Sequence, residues 1–165
     1  MPIVTADLAY RLSGGASNTD PTLSIGGAKS TTAVNGATLF DAVSSAESAA
    51  GDVEYRCYYA HNGHATLTLT SAVAWISANT PSASTTLDIG VGAAAVNGTE
   101  TAITNESTAP AGVTFSAAAS KGAGIALGDI PAGQHRAVWV RRTINAGAGA
   151  SSDTATLRFE GDTAA

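Results

Sequence analysis

The sequence predicts an all-β domain, a sandwich or a barrel. Short alternating apolar segments recur along the chain, and clusters of Gly, Pro, Asn and Ser separate them. Helix signals are poor. One window, Leu39 to Ala50 ("LFDAVSSAESAA"), suits a helical turn, with Ser44 and Glu47 at capping-box spacing before the Gly51-Asp52 break.

The elements follow in order. "DLAYRLS" places Leu8, Tyr10 and Leu12 on one face, and "LSIGG" is a short second candidate. "VEYRCYYAH" alternates: Val53, Tyr55, Cys57 and Tyr59 read as the inward set, with Glu54, Arg56 and Tyr58 outward. "ATLTLT" is the cleanest alternation, with Leu67 and Leu69 inward. "AVAWISA", "TTLDIGVG", "GVTFSA", "GIALGDI", "QHRAVWVRRTI" and "TATLRFEG" complete a set of about nine or ten strands. Within "HRAVWVRRTI", Val138, Trp139, Val140 and Ile144 spread over both faces, as in a central strand covered on both sides, and Trp139 belongs to the core.

Turn chemistry supports this order. Asn-Gly pairs stand at 35–36, 62–63 and 97–98, and Asn62-Gly63, flanked by alternating segments, best fits a two-residue hairpin. "DIPAGQ" is another turn, with Pro131 fixing one backbone angle and Gly133 free to take a positive one. The stretches 13–22, 26–37 and 144–154 and the final "GDTAA" are small and polar, so they read as loose loops, or in an assembly as arms laid on neighbours. The expected division is an N-terminal strand and loose arm over 1–37 and a sandwich core over 38–165, together forming one domain.

Composition narrows the function classes. Charged residues are 13% of the chain, about half the usual share, against 44% apolar. The net charge of −5 leaves no basic footprint for nucleic acid. A single cysteine permits no internal disulfide. The opening "MPIVTADLAYRL" lacks the basic and apolar regions of a signal peptide, and no run of about 18 apolar residues occurs. The expectation is synthesis in the cytoplasm without membrane insertion.

The segment "DVEYRCYYAHNGH" is the strongest candidate for chemistry, because it holds Cys57, His61 and His64. A zinc site needs about four ligands, usually from Cys or His pairs at set spacings. None are present, and His135 is distant in sequence. On a strand, Cys57 and His61 are about 13 Å apart, while His61 and His64 flank the turn and can approach each other. No nucleophile elbow or papain-like cysteine context appears. "GGAKSTT" lacks the first glycine of a phosphate-binding loop at the required spacing before Lys29. The reading is a core strand with a polar hairpin tip, with no catalytic residue, metal or cofactor. Arg136, Arg141 and Arg142 form the one basic concentration, with Arg136 and Arg142 on one face and Arg141 on the other. They read as charges paired with acids such as Glu54 or Glu160, or as subunit contacts. The candidate interaction surface is therefore Glu54, Arg56, Tyr58, Arg136, Arg141 and Arg142.

Several segments resemble a group of tailed-bacteriophage virion structural proteins: "GDVEYRC", "APAGVTFS", "GDIPAGQ" with "VWVRRT", and "RFEGDT". The resemblance spans residues 38–163. "HNGHATLTL" and "IPAGQHRAVWV" are similar to strand–turn units of immunoglobulin-like domains. The resemblance implies a single immunoglobulin-like β-sandwich of about 8–10 strands, with long Gly/Ser/Thr-rich loops and an extended N-terminal segment. It implies no enzyme. It points to a capsid decoration, or cement, protein on the virion exterior, with the major capsid protein and its own copies, as trimer or dimer, for partners. A tail or baseplate module that touches the host surface is the alternative.

Overall fold

A computed structural model describes residues 1–34, 39–149 and 152–163. Seven strands form two antiparallel sheets: β1 Leu8–Leu12, β2 Asp52–Asn62, β3 Leu69–Ala78, β4 Thr85–Val91, β5 Ile125–Ile130, β6 His135–Ile144 and β7 Thr156–Thr163. The larger sheet has the order β1-β2-β6-β4 and the smaller β5-β3-β7. The protein is thus an all-β sandwich of a four-stranded and a three-stranded sheet. Its connectivity is its own: β6 lies between β2 and β4, and β3 is central in the smaller sheet. Among the described residues, no helix is long and apolar enough to cross a membrane.

The helical window forms α1, Ser45–Ala50. The Ser44 hydroxyl accepts from the Glu47 amide, and the Glu47 carboxylate accepts from the Ser44 amide at 2.6 Å. This reciprocal box satisfies two amides that have no partner within the helix. Gly51, at φ 77°, ends the helix and turns the chain into β2.

Several expected strands differ in the structure. "ATLTLT" contributes only Leu69 and Thr70 to a strand, and it continues into "AVAWISA" as a single β3. A bulge at Ser71, whose amide donates to Asp129 Oδ1 at 2.8 Å, absorbs the change of register. Asn62-Gly63 is not a hairpin, because β2 and β3 lie in different sheets. Asn62 instead ties the layers together, its side-chain amide donating to Leu67 O and Ile130 O, both at 2.9 Å. Asn97 takes a positive φ of 60° in a turn, while Asn35-Gly36 lies outside the described residues. "LSIGG" and "GVTFSA" form isolated bridges, Gly27 to Glu100 and Ser116 to Ile89, rather than strands. Strand merger and these bridges account for seven strands where about nine or ten had the pattern.

Two apolar layers result. The inter-sheet core holds Leu12, Tyr58, Leu69, Ile76, Ile89, Ile130, Val138, Val140 and Phe159. The opposite face of the larger sheet buries Tyr55, Cys57, Tyr59, Ala137 and Trp139 under Ile103, Val113 and Phe115. These three come from the long β4–β5 connection, residues 92–124, whose first part folds back over β2 and β6 and whose last part crosses to the smaller sheet, where the Ile76 amide donates to Ala118 O at 2.9 Å. Residues 13–34, expected to be loose, are also stitched down: Cys57 donates its amide to Ser24 O at 2.7 Å, and the Tyr59 hydroxyl donates to Gly27 O at 2.6 Å. Both outer edges of the larger sheet are covered, β1 by residues 30–34 and β4 around Ser116.

Candidate functional site

The most concentrated polar chemistry lies inside the sandwich, where β2 and β6 run past the end of β1. Glu54 and Arg56 are 0% exposed and Arg142 is 8% exposed. Register places Glu54 opposite Arg142, and Arg142 donates from Nε to Glu54 Oε2 at 2.5 Å and from Nη1 to Asp41 O at 2.7 Å. Arg56 donates from Nη2 to Asp41 Oδ1 at 3.3 Å, and the same nitrogen pairs with Glu106 Oε2. The Phe40 ring lies against both guanidinium groups, at 5.4 Å from Arg56 and 4.7 Å from Arg142. Asp41, Glu54 and Glu106 each bring an oxygen within 4.8 Å of the others. Two guanidinium ions sit among these three carboxylates and supply the positive charge a cation would bring. Burial raises the Glu54 carboxyl above its ordinary value, and Arg142 pulls it back.

Four of the six residues expected to form an outward surface are therefore buried: Glu54, Arg56, Tyr58 and Arg142. β2 is covered on both faces, so alternation assigns residues to two faces without saying which is exposed. The Tyr58 ring packs on Tyr10 at 5.5 Å, and burial raises its hydroxyl well above the usual value. Arg141 occupies the other face, as expected, donating to Asp88 Oδ2 at 2.6 Å and stacking on Phe115 at 5.1 Å. Arg136 donates to Ala94 O at 2.5 Å and Gly92 O at 3.3 Å, so it anchors the start of the 92–116 cover. Of the acids expected to pair with these arginines, Glu54 pairs with Arg142, whereas Glu160 pairs with Lys121.

Beside the charge cluster, a cleft of about 1030 Å³ opens between the sheets at the α1 end, lined by Tyr10, Leu39, Phe40, Tyr58, Leu87 and Leu157. Tyr10 closes its far side, donating its hydroxyl to Leu157 O at 3.2 Å and accepting from the Phe159 amide at 3.1 Å.

Cys57 is fully buried opposite Trp139, and burial pushes its thiol far up, so it stays a protonated core residue. Among the described residues, His61 and His64 make no hydrogen bond to each other. The His64 Nδ1 accepts from the amides of Thr66 and Leu67 at 3.2 and 3.0 Å. His61 instead faces His135 across the β2–β6 ladder. The His135 ring packs edge-on against Tyr59 at 4.7 Å, and burial helps push the Tyr59 hydroxyl up to about 12. Sequence reasoning missed Phe40, Asp41 and Glu106 in the charge cluster. They are connected to Arg56 only by tertiary packing, with no local spacing to signal it. No family model, curated protein or solved structure matches the chain.

Proposed function

We propose that the chain is a structural protein of a tailed-bacteriophage particle: a capsid decoration protein that binds the outside of the shell, as a trimer or dimer, with the major capsid protein as partner. The family likeness of "GDVEYRC", "VWVRRT" and "RFEGDT" falls on β2, β6 and β7, the framework of the sandwich. "APAGVTFS" falls on the layer that covers the larger sheet.

One observation in the fold carries the reading. Residues 92–116 are fastened along the larger sheet rather than projecting from it. The Tyr55 amide donates to Glu106 O at 2.7 Å, Glu100 accepts from the amides of Ala93 and Ala94, and Ile89 and Ser116 exchange two bonds at 2.9 Å. A preformed, low-charge loop surface docks on a rigid neighbour with little ordering cost. Area buried across capsomer junctions then stabilises the assembled state by mass action. Quantitative mass spectrometry of purified virions tests this. Hundreds of copies per particle are expected. A handful to a few dozen copies would overturn decoration in favour of a tail or baseplate module.

A further inference from the structure

The chain carries a net charge of −5, yet one region of its surface gathers cations. On the outer face of the larger sheet, His61 stands opposite His135 on β6 and opposite Ala9 on β1, while Arg11 stands opposite Tyr59. Arg11, His61 and His135 thus share one face at neighbouring positions. The folded-back 13–34 segment adds Lys29. The Ser30 amide donates to Leu12 O at 2.8 Å and the Gly15 amide to Ala28 O at 3.0 Å, so Lys29 lies beside Arg11. All four side chains are half-buried.

Among the described residues, no carboxylate pairs with any of the four. Lys29 makes no hydrogen bond or ion pair among the described residues, and Arg11 reaches only a carbonyl, Thr31 O at 2.5 Å. Carboxylates on adjoining elements are engaged elsewhere: Asp7 accepts from the Val4 amide, and Glu100 from the Ala93 and Ala94 amides. Burial, and then repulsion from Arg11, holds Lys29 below its ordinary value. His61 is lowered by burial, by Lys29 and Arg11 and by His135, against the opposing bond to Gln134 O. His135 is lowered by burial and Lys29, against the opposing bond to Gly98 O. Half-burying four like-charged or chargeable groups together opposes folding. An anion between them reverses that sign.

We propose that Arg11, Lys29, His61 and His135 form a binding site for a phosphate-class dianion, either free or as a phosphomonoester. Two fixed cations match its charge, the planar guanidinium suits its oxygens, and the His61 Nε2 can donate once protonated because Nδ1 is held by Gln134 O. His135, with Nε2 on Gly98 O and Nδ1 buried, adds charge when protonated rather than a direct bond. Binding and protonation are then linked: the anion favours the imidazolium forms, and these favour the anion. The site is independent of the virion role proposed above.

Histidine NMR titration of the intact chain tests this, with His64, which lies outside the patch, as the internal reference. Inorganic phosphate, glucose 1-phosphate and sulfate, whose charge is constant across the range, are each compared with chloride at equal ionic strength. The midpoints of His61 and His135 should rise by about one unit while His64 stays in place. A rise with both phosphates identifies a site open to esters, and a rise with inorganic phosphate but not the sugar phosphate identifies a site for the free anion. In the Lys29→Gln/Arg11→Gln variant the rise should disappear while the rest of the spectrum keeps its native dispersion. Lys29→Gln alone, which breaks no bond among the described residues, should at least halve the rise. Equal movement of all three histidines, no difference from chloride, or a rise that persists in the double variant would each overturn the site.

Discussion

Replacing Arg142 with methionine tests the buried charge cluster most directly. The substitution keeps much of the side-chain volume and removes the charge. Glu54 is 0% exposed and takes its ion pair from Arg142. Without Arg142, a buried carboxylate has no partner, which costs about 3–5 kcal/mol. For a domain of this size each kcal/mol moves Tm by roughly 2–4 °C, so a fall of roughly 6–20 °C is expected. Replacing both partners, Glu54→Leu with Arg142→Met, should return stability to within about 1 kcal/mol of the parent, because a buried pair is often matched by well-packed apolar groups. The pH dependence provides a second check. Burial already raises Glu54 above the unfolded value of 4.5, and losing Arg142 raises it further. The folded variant then holds a proton that the unfolded chain releases, so its stability relative to the parent rises as pH falls from 7.5 towards 5. Urea unfolding at several pH values reads all of these. An Arg142→Met variant within about 1 kcal/mol of the parent, or a double variant as damaged as the single one, would refute the account of this cluster.

Three further outcomes follow from the same packing. Trp139→Ala should cost about 3–5 kcal/mol by urea unfolding, since Trp139 is 0% exposed beneath the 92–116 cover; an equally stable variant would misplace that second core. The Cys57 thiol, fully buried and raised by burial, should react with an aromatic disulfide reagent at pH 8 only as fast as the chain opens; prompt labelling of the native protein would contradict its position. Gly92→Ala should cost about 1–3 kcal/mol and loosen the 92–124 segment to proteolysis, because a new Cβ meets Glu100 Oε2 and stands 2.6 Å from the Ala137 Cβ.

Local signals were legible where local physics decides the outcome. Ser44, Glu47 and Gly51 mark a helix and its end by local spacing alone, and α1 forms between them, held by tertiary bonds from Ser48 to Gly147 and Ala148. The "HRAVWVRRTI" run is apolar on both faces and becomes the central β6. Pairing between distant segments was not legible. Asn62-Gly63 has hairpin chemistry, yet Asn62 bonds Ile130 on the other sheet, a partner its neighbours in sequence do not reveal. "ATLTLT" alternates cleanly, but alternation says nothing about where pairing begins, and the ladder with β5 and β7 starts at Leu69. Phe40 and Glu106 reach their partners, and Lys29 its place beside Arg11, through folded-back loops, and none of the three carries a periodic signature.

The inverted faces of β2 change where a binding surface can be. A strand covered on both sides presents neither face, so Glu54, Arg56 and Tyr58 cannot touch a neighbour while the sandwich is intact. Substituting them would test stability, and any loss of particle binding would follow from unfolding. On the side of the larger sheet the available surface belongs to the segments laid over it, and these are fastened at fixed points: Arg136 to Gly92 and Ala94, Tyr59 to Gly27 and Glu100, and Tyr55 to Glu106. The arginines that resembled an exposed basic cluster serve as these fasteners or as interior pairs. Low surface charge and firmly held loops therefore share one cause, since much of the chain's limited charge is used to pin irregular segments to the sheets. Exposed positions on residues 92–116, away from the fastening points, are where substitutions should weaken docking without lowering Tm. If such substitutions leave particle binding unchanged while the fold stays intact, the docking surface lies elsewhere than on the cover of the larger sheet.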